Sequence, residues 1–288
     1  MNSLRAITLL QGLSAALALT ACSNPLYWRT KPTQQPLPTS AQVFRYYPSQ
    51  TLPALADHPP ALYDLVILDP RWVNFTFSSG WEQEAHASQD KTSVMYTSGP
   101  TFEISSNAVN GAVPQGDLKV ASRLITSGNL AAARQRAYLA ISKNGSLSVG
   151  YGAYDPLQHK HLRIFIGGLH VLYDSRGRPP SQYKGVYPSI SLADIRLLYG
   201  IRSDGLLEIL ETKDGMTVSR LLDLVRHRAY RAALLPDHAS KSRLILPGIR
   251  VWSSSHANWI SGGRPTITAM PYLLRVTLDP RIERPSRD

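Results

Sequence analysis

The chain has 288 residues, 43% of them hydrophobic, and a formal charge of +11. That length suits one large domain or two small ones, and a single cysteine excludes an internal disulfide and a multi-thiolate metal site. The surplus positive charge favours anionic partners, but no basic run exceeds two residues and no aromatic ribonucleoprotein motif occurs, so nucleic acid is not an expected partner.

Residues 1–21 read as a lipoprotein signal. Arg5 is the basic start, Ile7 to Leu19 the apolar stretch, and Leu19-Thr20-Ala21-Cys22 fits a bacterial lipobox. The stretch is too short for a permanent span. Cys22 is then the lipidation site, and its acyl chains tether the protein to a membrane surface without crossing it. The alternative is a plain secretory signal followed by an unrelated cysteine. Ser23 rather than an aspartate follows, which favours a cell-envelope location on the outer membrane or the outer face of the cell membrane. Residues 22–60 comprise the lipidated cysteine and a tether holding eight prolines, a composition that favours extended, semi-rigid chain. The segment from Val43 to Tyr47 could still dock on the domain.

The domain is expected over 61–280. Leu62 to Leu68 is an apolar strand, and Val73, Phe75 and Phe77 alternate with polar residues at the period of a half-buried strand. Met95 to Ile104 is a strand region broken by Gly99-Pro100. Ala137 to Ser142 and Leu147 to Val149 flank Lys143-Asn144-Gly145, whose Asn-Gly supplies the positive φ angles of a hairpin turn. Leu162 to Tyr173 is interrupted by Gly167-Gly168, a bulge or tight bend. A second hairpin joins Leu197 to Ile201 with Leu206 to Leu210 through Ser203-Asp204-Gly205.

Thr217 is placed to cap a helix over about 217–228, with Val218, Leu221, Leu222 and Val225 on one buried face and Arg226, His227 and Arg228 at the end where the helix dipole favours cations. Ala232 to Leu235 and Leu244 to Leu246 are short buried strands, Tyr272 to Leu278 is the closing strand, and 281–288 is a tail. The sum is an α+β domain of strand-dominated mixed or antiparallel sheets with one principal amphipathic helix.

Asp237 leads the candidates for chemistry. It follows Leu234-Leu235-Pro236, where the chain leaves the core, and Ser240 and Ser242 add hydroxyls to the same loop. A carboxylate on such a rim can act as general acid or nucleophile, or help hold a cation; the plainer alternative is a loop aspartate capping local amides. Arg196 could present its planar fork to a phosphate or form a surface or inter-strand ion pair. Ser98 and Gly99 belong to a polar patch at a strand end, where backbone amides can face a ligand or simply turn the chain. His159 and His161 are read as lying on one face of a strand, with no further zinc ligand at suitable spacing. No Ser-x-x-Lys, Gly-x-Ser-x-Gly, His-Glu-x-x-His or phosphate-loop motif occurs.

The order of these elements resembles the phosphodiester glycosidase family, whose animal member uncovers mannose 6-phosphate by removing N-acetylglucosamine. Arg196, Gly200, Asp204 and Gly205 match the family's Arg-x-x-x-Gly-x-x-x-Asp-Gly hairpin. Gly215-Met216-Thr217 matches its helix start, and Asp237 with Ser242 matches the end of its apolar strand. Val66 to Pro70 and Met270 to Leu274 are similar to its early and closing strands. The chain departs from the pattern at His238 and Ala239, where the family has glycines, at Lys241 in place of a serine, and near Ser98–Phe102, where the family's asparagine is missing.

The resemblance implies hydrolysis of sugar-phosphodiester or related glycosidic bonds, with Asp237 as the acid, Arg196 a phosphate contact, and Ser98, Gly99, Ser240 and Ser242 around the substrate. The expected partners are a glycan or sugar-phosphate substrate and, through the lipid anchor, a membrane. No cofactor is expected. Ca²⁺ enters only by family analogy, since no dense carboxylate cluster asks for it. The competing expectation is a catalytically silent glycan-binding or scaffold lipoprotein of the same fold.

Overall fold

The computed structural model describes residues 36–55, 58–79, 83–106, 111–177, 179–183, 193–213, 215–236, 241–251 and 270–282. Cys22, with the signal and the first part of the tether, lies outside them, as does most of the tail. Among the described residues no helix is long and apolar enough to cross a membrane.

The elements in chain order begin with α1 (Ser40–Val43), β1 (Phe44–Leu52), β2 (Ala61–Leu68), β3 (Val73–Ser79), α2 (Gln83–Gln89), β4 (Met95–Thr97), β5 (Phe102–Ile104) and β6 (Ala112–Pro114). Next come β7 (Leu118–Val120), β8 (Arg123–Ile125), α3 (Leu130–Gln135), β9 (Ala137–Ser142), β10 (Leu147–Tyr151) and β11 (Leu162–Asp174). The last are β12 (Leu197–Ile201), β13 (Leu207–Thr212), α4 (Val218–His227), β14 (Ala232–Leu235), β15 (Leu244–Ile245) and β16 (Tyr272–Leu278).

A ten-stranded sheet runs β1-β2-β13-β12-β14-β11-β7-β8, with the β9–β10 hairpin branching from β11. A four-stranded sheet runs β15-β4-β16-β3. Every described strand pairing is antiparallel. The architecture is therefore mainly β with few helices, and the α+β expectation fits it only loosely.

The large sheet is covered on both faces. Toward the small sheet, Val66, Leu68, Tyr199, Ile209 and Leu234 share a core with Phe75, Met95, Leu244, Leu274 and Val276. On the other face Leu65, Ile67, Leu198, Leu210 and Leu235 pack with Met216, Leu221, Leu224 and Val225. This double burial explains why β2 reads as a continuous apolar run rather than an alternating one.

Most expected strands lie where the residue pattern put them. The Asn144-Gly145 hairpin closes with Leu147 opposite Ile141, and β11 shifts register between Ile166 and Leu169, a bulge at Gly167-Gly168. Three readings need correction. The fold begins before Ala61, because β1 pairs along its length with β2; Pro48 sits at the register shift of this edge strand, where its missing N–H costs no ladder bond. The buried face of α4 uses Leu224 rather than Leu222, with Arg220 also turned inward, where it donates to the Pro59 carbonyl at 3.1 Å. His159 and His161 lie in the turn before β11, not on a strand, and His159 Nδ1 accepts from the Asp155 amide at 3.0 Å.

Candidate active site

Strand β14 carries the chain out of the large sheet to Pro236, and β15 resumes it in the small sheet. Residues 237–240, including Asp237 and Ser240, lie outside the described residues, but both anchors are described. Leu234 pairs with Tyr199, Leu235 with His170, and Leu244 with Thr97. The loop thus links the two sheets.

Ser98 sits at that junction. Its hydroxyl donates to the Lys241 carbonyl at 2.6 Å, its amide to the Arg243 carbonyl at 3.1 Å, and its own carbonyl accepts the Tyr199 hydroxyl. Gly99 follows beneath the Tyr272 ring, which a Cβ there would meet at 3.1 Å. Ser242 is fully buried, and its hydroxyl has no hydrogen-bond partner among the described residues. Lys241 lays its ammonium over the Phe102 ring, 4.9 Å from the centroid. Ser98, Gly99 and Ser242 therefore lie together beside Lys241, the described residue at the start of the return to β15.

Arg196 is not among them. Alternation along β12 sends Leu197 and Tyr199 toward the small sheet and Leu198 toward α4, and Arg196 turns to the α4 side. Its Nε donates to the Met216 carbonyl at 3.1 Å, and its Nη2 lies 3.5 Å from Asp194 Oδ2, with both side chains fully enclosed. The ion pair joins residues two apart on one segment rather than two strands, and the bond to the Met216 carbonyl pins the Gly-Met-Thr segment before α4 to the sheet.

A second polar cluster lies on the junction side, and sequence reasoning missed it. Glu211 on β13 is directly opposite Asp64 on β2, and both are buried. Arg250 bridges them: Nε donates to Asp64 Oδ2 at 2.6 Å, one terminal nitrogen donates to Glu211 Oε2, and the other to the Leu244 carbonyl. Burial opposes the Arg250 charge, but the two carboxylates outweigh it and raise its pKa. Glu211 Oε1 keeps no hydrogen-bond partner among the described residues. Burial, then the Asp64 charge, pushes the adjoining Tyr46 phenol upward.

Glu211 also pairs with Leu197. Extending the β12–β14 register by one more inward-facing pair sets Leu197 opposite Pro236. Asp64, Glu211, Leu197 and Pro236 thus lie at one level across four adjacent strands, with the Glu211 and Pro236 backbones about 10 Å apart across the sheet. The sequence did carry a signal: Asp64 stands inside the apolar run of β2, and Glu211 ends that of β13. A carboxylate within a strand buried on both faces needs a partner.

Among the described residues no group of three or more His, Cys, Asp or Glu side chains could hold a metal ion. The Asp64–Glu211 pair does not fit Ca²⁺ either, since a guanidinium already occupies the space between the carboxylates.

Two antiparallel sheets facing across one core, with a helix on the outer face of the larger, define a mainly β, two-sheet class of protein. Within that class the chain is similar in fold to the catalytic domain of zebrafish N-acetylglucosamine-1-phosphodiester alpha-N-acetylglucosaminidase, solved auto-inhibited by its pro-peptide. The match has a TM-score of 0.58 and 15% identity, over 83% of each chain. A hypothetical protein from Synechocystis matches with a TM-score of 0.58 and 9% identity, over 82% of this chain and 62% of that one. At these identities the likeness is one of fold. No family model and no curated protein matches the chain.

Proposed function

We propose that the chain is an envelope lipoprotein, anchored through Cys22, whose domain hydrolyses sugar-phosphodiester or related glycosidic bonds in surface or extracellular glycans. The reading rests on one observation above the others. The two described anchors of the segment that carries Asp237 stand at the sheet junction: the Lys241 carbonyl accepts the Ser98 hydroxyl, Ser242 is buried next to it, and Pro236 continues β14 at the level of the Asp64–Glu211 pair. The ordered motifs from Arg196 to Ser242 and the fold shared with the zebrafish catalytic domain support it.

Asp237 is the acid that protonates the leaving oxygen. Ser98, Gly99, Ser240 and Ser242 position the substrate. Lys241, beside the loop, supplies the cation nearest a bound phosphate. Arg196 acts at a distance, holding the start of α4 against the sheet. Glu211 and Asp64 place negative charge at the junction, where it favours a developing oxocarbenium ion.

The test is release of free sugar from a sugar-1-phosphodiester by the full-length protein in detergent. Asp237→Asn is expected to abolish release while the protein stays folded; unchanged turnover in that variant refutes the assignment.

The full burial of Ser98 and Ser242, with His238, Ala239 and Lys241 standing where the family pattern has glycines and a serine, favours a second reading: a glycan-binding lipoprotein without turnover. Saturable binding across a glycan panel with no product from any member would select it.

A further inference from the structure

The face of β9, β10 and β11 turned away from the main core carries two features that the proposed hydrolysis does not use. One is aromatic. Tyr138 stacks on the buried Phe165 ring with centroids 4.3 Å apart. Tyr154 and His159 close around the same ring at 5.3 and 5.2 Å. Tyr138, Tyr154 and His159 are each half-buried. Gly150 makes room for this arrangement, because a Cβ there would lie 2.2 Å from the Tyr138 hydroxyl oxygen. Burial holds the His159 imidazole below its ordinary pKa, so at neutral pH it is an uncharged ring rather than a cation.

The other feature is basic. A cleft of about 690 Å³ opens on the same face, lined by Ser142, Ser146, Ser148, Lys143, Lys160 and His161, with no acid among the described residues of its wall. Leu162 forms part of its floor and also belongs to the cluster under Tyr138 and Tyr154, so the two features adjoin. Lys119 lies beneath, its ammonium donating to the Leu162 carbonyl at 2.8 Å. Burial first, and then the Lys143 charge, lowers its pKa, which marks a locally positive field.

Partly exposed aromatic residues next to hydroxyls and two exposed lysines, with Asp155 beside the aromatic cluster and outside the cleft lining, suit a ligand that alternates sugar faces with anions. We propose that this face is an accessory binding site for a phosphate-bearing glycan, with sugar rings stacking on Tyr138 and Tyr154 and phosphates held by Lys143, Lys160 and His161. The site stands apart from the Asp237 loop: Leu162 precedes His170, the β11 partner of Leu235, by eight residues, about 25 Å along the strand. It therefore goes beyond the hydrolase reading and holds whether or not the chain turns over substrate.

The test is calorimetric titration of the full-length protein in detergent with pentamannose carrying a terminal phosphate and with the same pentamannose after phosphatase treatment. The phosphorylated probe is expected to bind more tightly, with affinity falling as salt rises. Lys143→Ala combined with Lys160→Ala, both on exposed turns, is expected to lower its affinity about tenfold and to flatten the salt dependence. The neutral probe should respond to Tyr154→Ala but not to the lysine pair. Asp237→Asn should change neither titration.

Unchanged affinity in the lysine double variant overturns the proposal, as does loss of binding in Asp237→Asn, which would place the ligand at the sheet junction. A third arm uses vesicles of equal parts phosphatidylcholine and phosphatidylglycerol. Lysine-dependent binding to these as tight as to the phosphorylated glycan would also overturn it, because the cleft would then read lipid headgroups without regard to sugar.

Discussion

The hydroxyl of Tyr199, at the centre of the large sheet, donates to the carbonyl of Ser98, at the end of a strand in the small one. Both residues are buried. Burial raises the phenol pKa, so the group remains a neutral donor. This bond ties the two sheets together beside the anchors of residues 237–240. Tyr199→Phe leaves the Ser98 carbonyl unpaired in the interior and should cost about 1–3 kcal/mol in urea unfolding. Activity on a sugar-1-phosphodiester should fall by more than the fraction unfolded explains.

Arg250 holds two buried carboxylates from different strands. Arg250→Met strands both charges and should destabilise the domain by about 3–5 kcal/mol. Replacing all three residues with apolar side chains of similar volume should cost far less, because the desolvation penalty then disappears with the charges. Denaturant midpoints of the single and triple variants check the difference.

Gly200 matches the glycine of the Arg196 motif, and its reason is steric. A Cβ there would lie 2.4 Å from the Tyr230 ring, and that ring is held by the bond from its hydroxyl to Glu208 Oε2 at 2.6 Å. Glu208 also receives Arg202 and Arg228, so the ring has little freedom to retreat. Gly200→Ala should cost about 1–3 kcal/mol through overpacking, and adding Tyr230→Leu should recover part of it. Thermal unfolding of the two variants is the measurement.

Asp90 supplies a pH dependence. Burial works to raise its pKa, but hydrogen bonds from Arg275, Thr92 and Tyr96 prevail and hold it well below the usual carboxylate range. A depressed folded-state pKa stabilises the fold above the unfolded value, about 3.9, and that contribution is lost as pH falls further. The stability difference between wild type and Asp90→Asn should therefore be constant near neutrality and shrink below about pH 4–5. Melting temperatures of both proteins from pH 7 down to pH 3 read it directly; a difference that grows on acidification would contradict the arrangement.

Much of the architecture was legible in the chain because it depends on near neighbours. Asn144-Gly145 sets a turn, Thr217 caps α4 through the Arg220 amide at 3.2 Å, and the pattern of Tyr272 to Leu278 marks one strand. The candidate site was legible only in part. Ser98, Gly99 and Ser242 were readable as polar residues at strand ends, and the structure brings them together. That Arg196 turns to the opposite face of the sheet, and that Asp64, Glu211 and Arg250 meet, was not readable. Arg250 and Asp64 are separated by 186 positions, and Asp64 lies opposite Glu211 because β2 is the neighbour of β13 in one particular register.

Local residue patterns determine where the chain extends, turns and caps, because those choices are made within a few residues. Which strand lies beside which, and so which side chains share a buried space, is decided by the packing of the two sheets. A shift of one residue in register would send every inward side chain to the other face.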